Sequence, residues 1–167
     1  EQANRLKKAF LPDYDHGSGS AGDDPSKLLA ELGLEKDLSV EQLRRILVDI
    51  VSRPLETALA GFDEACVLGA KTGVPVICHN ALPSFRRIMK LAEDYAGTSL
   101  KLIAGHCNHP SFSLEETVVF ATLLKKRGVI IDVSSLDSIV TRWMNSPERI
   151  ELLVRENLVD TFSTDYG

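Results

Sequence analysis

The sequence predicts an α/β fold in which parallel strands alternate with helices. Three short apolar runs each end in a residue that can bind a metal, and these are Val74–His79, Leu100–His106 and Thr161–Asp165. Helical patterns separate the runs, and such alternation with short connections is the signature of a parallel sheet. A residue at the C-terminal end of such a strand points into the mouth of an α/β barrel. We therefore predict a partial (β/α)8 TIM barrel, roughly its last four strands.

Regular signals begin at Leu55, where an apolar helical pattern runs to Lys71 and stops at the helix-ending glycine Gly73. Capping boxes, glycine stops and β-branched runs define the elements that follow. They are strand Val74–His79, a helix over 84–95, strand Leu100–His106, a helix from Ser113 to Lys126, strand Val129–Val133, a helix beginning near Ser146 and Pro147, and strand Thr161–Thr164.

The sequence pattern of residues 1–54 differs from that of the rest of the chain. It predicts a helical insertion or loop region with no strand. The Gly- and Ser-rich segment 13–25 predicts a surface loop. Ser39 and Gln42 form a capping box that opens an amphipathic helix, which Pro54 breaks or restarts. Residues 55–167 form the predicted C-terminal half of a barrel. Since a complete barrel takes about 250 residues, we expect the other half to lie outside this sequence or to come from another copy in a homo-oligomer.

Composition excludes several classes of partner. The chain has 167 residues and a net charge of −5, which disfavours nucleic acid and anionic membranes. No apolar stretch approaches the roughly 20 residues needed to span a bilayer. The three cysteines lack CxxC spacing and predict buried, reduced thiols, with Cys78 or Cys107 as a metal ligand the less favoured alternative. These features, with no visible signal peptide, predict a cytoplasmic protein that acts on a small molecule.

His79, His106 and Asp165 are the candidate metal ligands. Neighbouring barrel strands lie about 4.8 Å apart, so both imidazoles can reach one divalent ion such as zinc. Asp165 ends a buried strand, where a carboxylate needs a partner or a metal. A pair of hydrogen-bonded structural histidines and a helix-capping aspartate are the alternatives. His109 and Trp143 are further candidates for contact with substrate.

The stretch from about Leu55 to Gly167 resembles the C-terminal half of the phosphotriesterase-like branch of the amidohydrolase superfamily. The matching text is TGVPVICHN, AGHCN, KKRGVIIDV and FSTDYG. The resemblance implies that His79 and His106, ending the fifth and sixth strands, bind one metal. It also implies that Asp165, ending the eighth, binds a second metal and serves as the base. The HxH pair of that family's first strand is absent here, and no fourth-strand bridging ligand can be assigned.

The function implied by the resemblance is metal-dependent hydrolysis of an ester, lactone, amide or phosphoester, with one or two ions in the complete enzyme. With the HxH pair and bridging ligand absent, we expect the chain by itself to bind metal and turn over weakly. One alternative is a metal-independent barrel lyase or aldolase in which His79 and His106 act as acid–base residues. Another is a non-catalytic interaction protein.

Overall fold

The computed structural model describes residues 2–11, 23–134 and 147–164. The chain divides into two compact units, Glu1–Ala60 and Gly61–Gly167. The second unit confirms the predicted α/β class with a parallel sheet. That residues 55–167 belong to a hydrolase barrel stays a prediction.

The first unit is helical in its described part. Helices α1 (Gln2–Phe10), α2 (Pro25–Glu31) and α3 (Val40–Leu47) pack on one another around a small apolar core. The buried members of that core are Phe10, Leu11, Leu28, Leu29, Leu43 and Leu47. The capping box predicted at the start of α3 is confirmed, because Ser39 and Gln42 bond to each other's backbone N–H groups.

Pro54 restarts the helix rather than ending it. A π-helical turn, Val48–Ser52, follows α3 and leads directly into α4 (Arg53–Thr72). Proline lacks an N–H and its ring crowds the carbonyl four residues before it, so it fits best in the first turn of a helix. The wider π-helical turn accommodates it there. The sequence pattern did not predict this turn.

The second unit places four strands in one sheet, with helices between them. In the described residues, the elements after α4 are β1 (Val76–His79), α5 (Phe85–Asp94), β2 (Leu102–Gly105), α6 (Leu114–Lys125), β3 (Ile130–Ser134), α7 (Glu148–Arg155) and β4 (Thr161–Ser163). The strands are parallel and lie in sequence order β1-β2-β3-β4. All four were predicted, and so was the capping box of Ser113 and Glu116 that opens α6.

Several predicted boundaries are wrong by one or two residues. Strand β1 begins at Val76 because Pro75 has no N–H to donate to a ladder. Strand β2 ends at Gly105, because His106 turns out of the strand with a positive φ. Pro147 precedes α7 rather than occupying its first position.

The two faces of the sheet differ in what covers them. Residues that alternate along each strand point to opposite faces. In β1, Cys78 is fully buried in the helix-covered core, whereas Ile77 on the other face is 68% exposed. His79 shares the face of Ile77. The helices therefore cover one face of the sheet at β1, β2 and β3, and the face that carries His79 at its C-terminal end is open at β1.

Helix α4 sets the position of β1 through a close contact at Gly69. A Cβ on Gly69 would lie 2.6 Å from Cγ2 of Val76 and 2.9 Å from the carbonyl oxygen of Val74. The backbone carbonyl cannot rotate away as a side chain can. The absence of a side chain at Gly69 therefore lets the helix approach the strand.

In the part of the chain that the structure describes, none of the helices combines the length and apolar character needed to cross a bilayer.

Replacing Gly69 with alanine should destabilise the second unit by about 1–3 kcal/mol, because the added methyl group overlaps Val74 and Val76. Gly61→Ala in the same helix is the matched control, since a Cβ there meets nothing within 4 Å. It should stabilise by about 0.5–1 kcal/mol through helix propensity. Urea unfolding of both variants is the measurement. Changes of the same sign would contradict the packing described for Gly69.

Candidate metal centre

His79 ends β1 and pairs in register with Gly105, which ends β2. The backbone N–H of Asn80 then donates to the carbonyl oxygen of Gly105 at 2.8 Å, which continues the ladder past both strand ends. Register partners in a sheet point to the same face. The face that carries His79 therefore has no side chain opposite it on β2, which leaves room for an imidazole from the following residue.

His106 fills this room because of its backbone conformation. If β2 continued as a strand, His106 would alternate to the helix-covered face. Instead its φ is +62°, in the left-handed region that side chains other than glycine rarely adopt. The turn brings its ring to the ring of His79, with centroids 4.6 Å apart and planes at 40°. The strained backbone conformation of His106 thus allows the two imidazoles to lie close together.

The pair fits two positions in the coordination sphere of a divalent ion. Two nitrogens that bind one zinc ion at about 2.0–2.1 Å lie about 3–4 Å apart, and ring centroids 4.6 Å apart allow that separation. Within residues 2–11, 23–134 and 147–164, no three His, Cys, Asp or Glu side chains are arranged to hold an ion. His79 and His106 are therefore two candidate ligands, and no third one completes a group with them in the described residues.

Two residues singled out by the sequence lie outside the described residues. They are Asp165, the predicted third ligand and base, and Trp143, a predicted substrate contact. Strand β4 stops at Ser163, two residues before Asp165. The roles of both residues stay predictions.

His109 lies beside the pair, in the turn after β2. Its ring centroid is 5.3 Å from that of His79, and the two planes are nearly perpendicular at 76°. The backbone N–H of His109 donates to the carbonyl oxygen of His106 at 2.8 Å. The same short turn thus carries both His106 and His109 to the ring of His79.

Buried polar side chains, which the sequence analysis did not single out, fix the turns that carry the histidines. Asn108 exchanges two hydrogen bonds with the backbone of Ser134, at 2.9 and 3.0 Å, and so ties the turn after β2 to the end of β3. Ser84 accepts the N–H of Ala81 and donates to the carbonyl oxygen of His79 at 2.7 Å. The sequence contains one signal for such polar residues. An asparagine follows each strand-end histidine within two residues, as Asn80 in CHN and Asn108 in HCN.

Asp132 has a structural role in the described sheet. It is almost fully buried, and its two carboxylate oxygens accept hydrogen bonds from Thr161 and Ser163, each at 2.9 Å. These bonds join β3 to β4 across the face that carries His79. They satisfy the carboxylate and help set the register of the last strand.

The cysteines are buried thiols, as predicted. Cys66, Cys78 and Cys107 are free and buried. Burial raises the pKa of both Cys78 and Cys107 to about 12. Burial therefore opposes formation of the thiolate, which is the form of cysteine that attacks an electrophile. Cys78 also points to the face opposite His79, because neighbouring residues of a strand point to opposite faces.

Comparison of the chain with protein-family models, with curated proteins and with solved structures finds no match in any of the three.

The strain at His106 predicts a difference between two substitutions that both remove the imidazole. His106→Gly should leave a protein more stable than His106→Ala by about 1 kcal/mol, because glycine adopts a positive φ without a steric penalty. Chemical unfolding of both variants without added metal measures this difference. Equal stabilities would show that the backbone at position 106 is unstrained.

Proposed function

We propose that this chain forms part of a metal-dependent hydrolase that acts on a small ester, lactone, amide or phosphoester. The observation that carries the proposal is the pair of imidazoles from His79 and His106. Their rings approach to 4.6 Å at the C-terminal ends of two neighbouring parallel strands. That is where α/β barrels build their active sites.

We infer that the sheet is a segment of a (β/α)8 barrel, corresponding to its last four strands. Three observations support this inference. The strands are parallel and follow one another in sequence order. The core-forming helices cover one face of β1, β2 and β3. The other face exposes Ile77, which a closed barrel would bury among the inward-facing side chains of its remaining strands.

The role proposed for each residue of the site follows from the chemistry of its side chain. A bound divalent ion, zinc being the best fit to imidazole ligands, would supply Lewis-acid activation of a water and of the scissile oxygen. His79 and His106 would hold that ion. Asp165 would orient the attacking water and accept its proton. The buried contacts of Asn108 and Ser84 would keep the two imidazoles in place while substrate binds and product leaves.

Zinc binding is the first test of the proposal. His79→Ala and His106→Ala should each weaken zinc binding by at least about 10²-fold, because a lost ligand costs more than the 10–100-fold typical of outer contacts. His16→Ala, which removes a histidine with no predicted role, should bind zinc as the wild type does. Isothermal titration with Zn²⁺ on the purified protein provides the affinities. If all three variants match the wild type, His79 and His106 are not metal ligands.

Asp165→Asn tests the base. The change keeps the size of the side chain and one coordinating oxygen but removes the proton acceptor, so kcat should fall by about 10²–10⁴-fold while KM changes less. The assay is turnover of an ester, lactone, amide and phosphoester panel by the complete enzyme with added zinc, together with thermal melting.

Asp160→Asn is the matched control for this substitution. Asp160 flanks the other end of β4, where it pairs with Lys125 and accepts the N–H of Ile131, each at 2.9 Å. Its loss should lower the melting temperature and leave kcat unchanged. A wild-type kcat in Asp165→Asn would remove Asp165 from the mechanism. Turnover that persists after chelation of metal would favour acid–base catalysis by the histidines instead.

A further inference from the structure

The carboxylate of Asp132 fits only one register between β3 and β4. Its Oδ1 accepts the hydroxyl of Thr161 and its Oδ2 accepts the hydroxyl of Ser163, each at 2.9 Å. Thr161 is the register partner of Asp132, and Ser163 lies two residues further along β4. A shift of β4 by one residue would turn both hydroxyls to the other face of the sheet. A shift by two residues would leave one carboxylate oxygen without its hydroxyl.

The C-terminal end of β4 depends on this carboxylate because apolar packing within the strand is slight. Thr161 and Phe162 are exposed and Ser163 is half-buried, whereas Asp132 is 7% exposed. Asp160 holds the other end of the strand through the backbone of Ile131. A buried carboxylate is unfavourable unless its oxygens are hydrogen-bonded, and a buried polar group that is fully satisfied makes one arrangement rigid.

Asp132 also holds the turn that carries His106. Its backbone carbonyl oxygen accepts the N–H of Cys107 at 2.9 Å, and Cys107 directly follows His106. One residue of β3 thus contacts the turn of a candidate ligand on one side and the end of β4 on the other. Asp165 is the second residue after Ser163 in the sequence. Since a strand advances about 3.3 Å per residue, a slip of two residues would displace the end of β4 by about 7 Å.

We propose that Asp132 is a positioning residue of the hydrolytic site, which fixes the C-terminal end of β4 and so holds Asp165 at the candidate centre. This role rests on the proposed hydrolase function. Asp132 acts through the hydroxyls of Thr161 and Ser163 rather than by touching the substrate. A displacement of about 1 Å at a reacting group can cost about 10²-fold in turnover.

Two substitutions at position 132 separate position from charge. Asp132→Ala removes both acceptors, so kcat of the complete enzyme with added zinc should fall by about 10²-fold while KM changes less. Asp132→Asn also removes the charge, but its amide oxygen can accept one hydroxyl and its amide nitrogen can donate to the other. It should recover most of the lost kcat. Equal losses in the two variants would assign the effect to charge and overturn the positioning role.

A second pair of variants tests the two ends of the contact and keeps Asp132 in place. Ser163→Ala removes the hydroxyl nearer to Asp165 and should lower kcat by about tenfold. Thr161→Val keeps the shape of its side chain and removes the hydroxyl farther from Asp165. It should lower the melting temperature and leave kcat within about twofold of the wild type. This pair carries the test if Asp132→Ala does not fold, and a wild-type kcat in Ser163→Ala would contradict the proposal.

Zinc affinity provides a readout that needs no substrate. Because Asp165 is a proposed ligand, Asp132→Ala should weaken zinc binding by about tenfold, as loss of a residue that supports a ligand does, and Asp132→Asn should restore it. Isothermal titration with Zn²⁺ measures both. A protein that shows this pattern but hydrolyses no panel substrate would refute the hydrolase function and keep the positioning role. Wild-type zinc affinity and kcat in Asp132→Ala, with only a lower melting temperature, would overturn that role.

Discussion

The left-handed turn at His106 is the constraint on which the candidate centre depends. The parallel register places His79 opposite Gly105, so a straight continuation of β2 would send the next side chain into the helix layer. A φ of +62° at His106 reverses that direction and brings the two imidazole rings to a centroid distance of 4.6 Å. Such a conformation costs of order 1–3 kcal/mol and persists only where its surroundings enforce it. Here the surroundings are the hydrogen bonds of the turn and the buried amide of Asn108, which holds the turn against β3.

The two faces of the sheet differ in their residues, since one forms the core and the other carries the candidate centre. One face carries the side chains that the helices bury, and its thiols and aliphatic groups form the core. The other face carries His79 at the C-terminal end of β1. It also carries the carboxylate of Asp132, which is hydrogen-bonded to β4. Changes at the second face can therefore alter the site while the core that fixes the strands stays packed. Gly69 belongs to the packed side of the sheet and still affects the candidate site. Its contact between α4 and β1 positions the strand that carries His79.

The elements after Leu55 could be predicted from the sequence because their apolar spacing, capping boxes and glycine stops all agree. Helices α1 and α2 were not predicted, since they are only nine and seven residues long. The π-helical turn was not predicted either, since it depends on how Pro54 is accommodated. The sequence also predicted that His79 and His106 would meet, but for an incomplete reason. Strand alternation alone would have separated the two rings, and the left-handed turn that unites them leaves no pattern in the sequence. The hydrogen bonds of Asp132 depend on the register between β3 and β4 and could not be predicted from composition or spacing.

X-ray absorption spectroscopy of the zinc-loaded protein tests most directly whether the two strand-end imidazoles bind one metal ion. The geometry predicts nitrogen and oxygen scatterers at about 2.0–2.1 Å, together with the outer-shell scattering of two imidazole rings. In the spectrum of His106→Ala, the scattering of one of the two imidazole rings should be missing. Sulfur scatterers at about 2.3 Å, or a zinc environment without imidazole, would contradict the account and show that the strained turn at His106 serves another purpose.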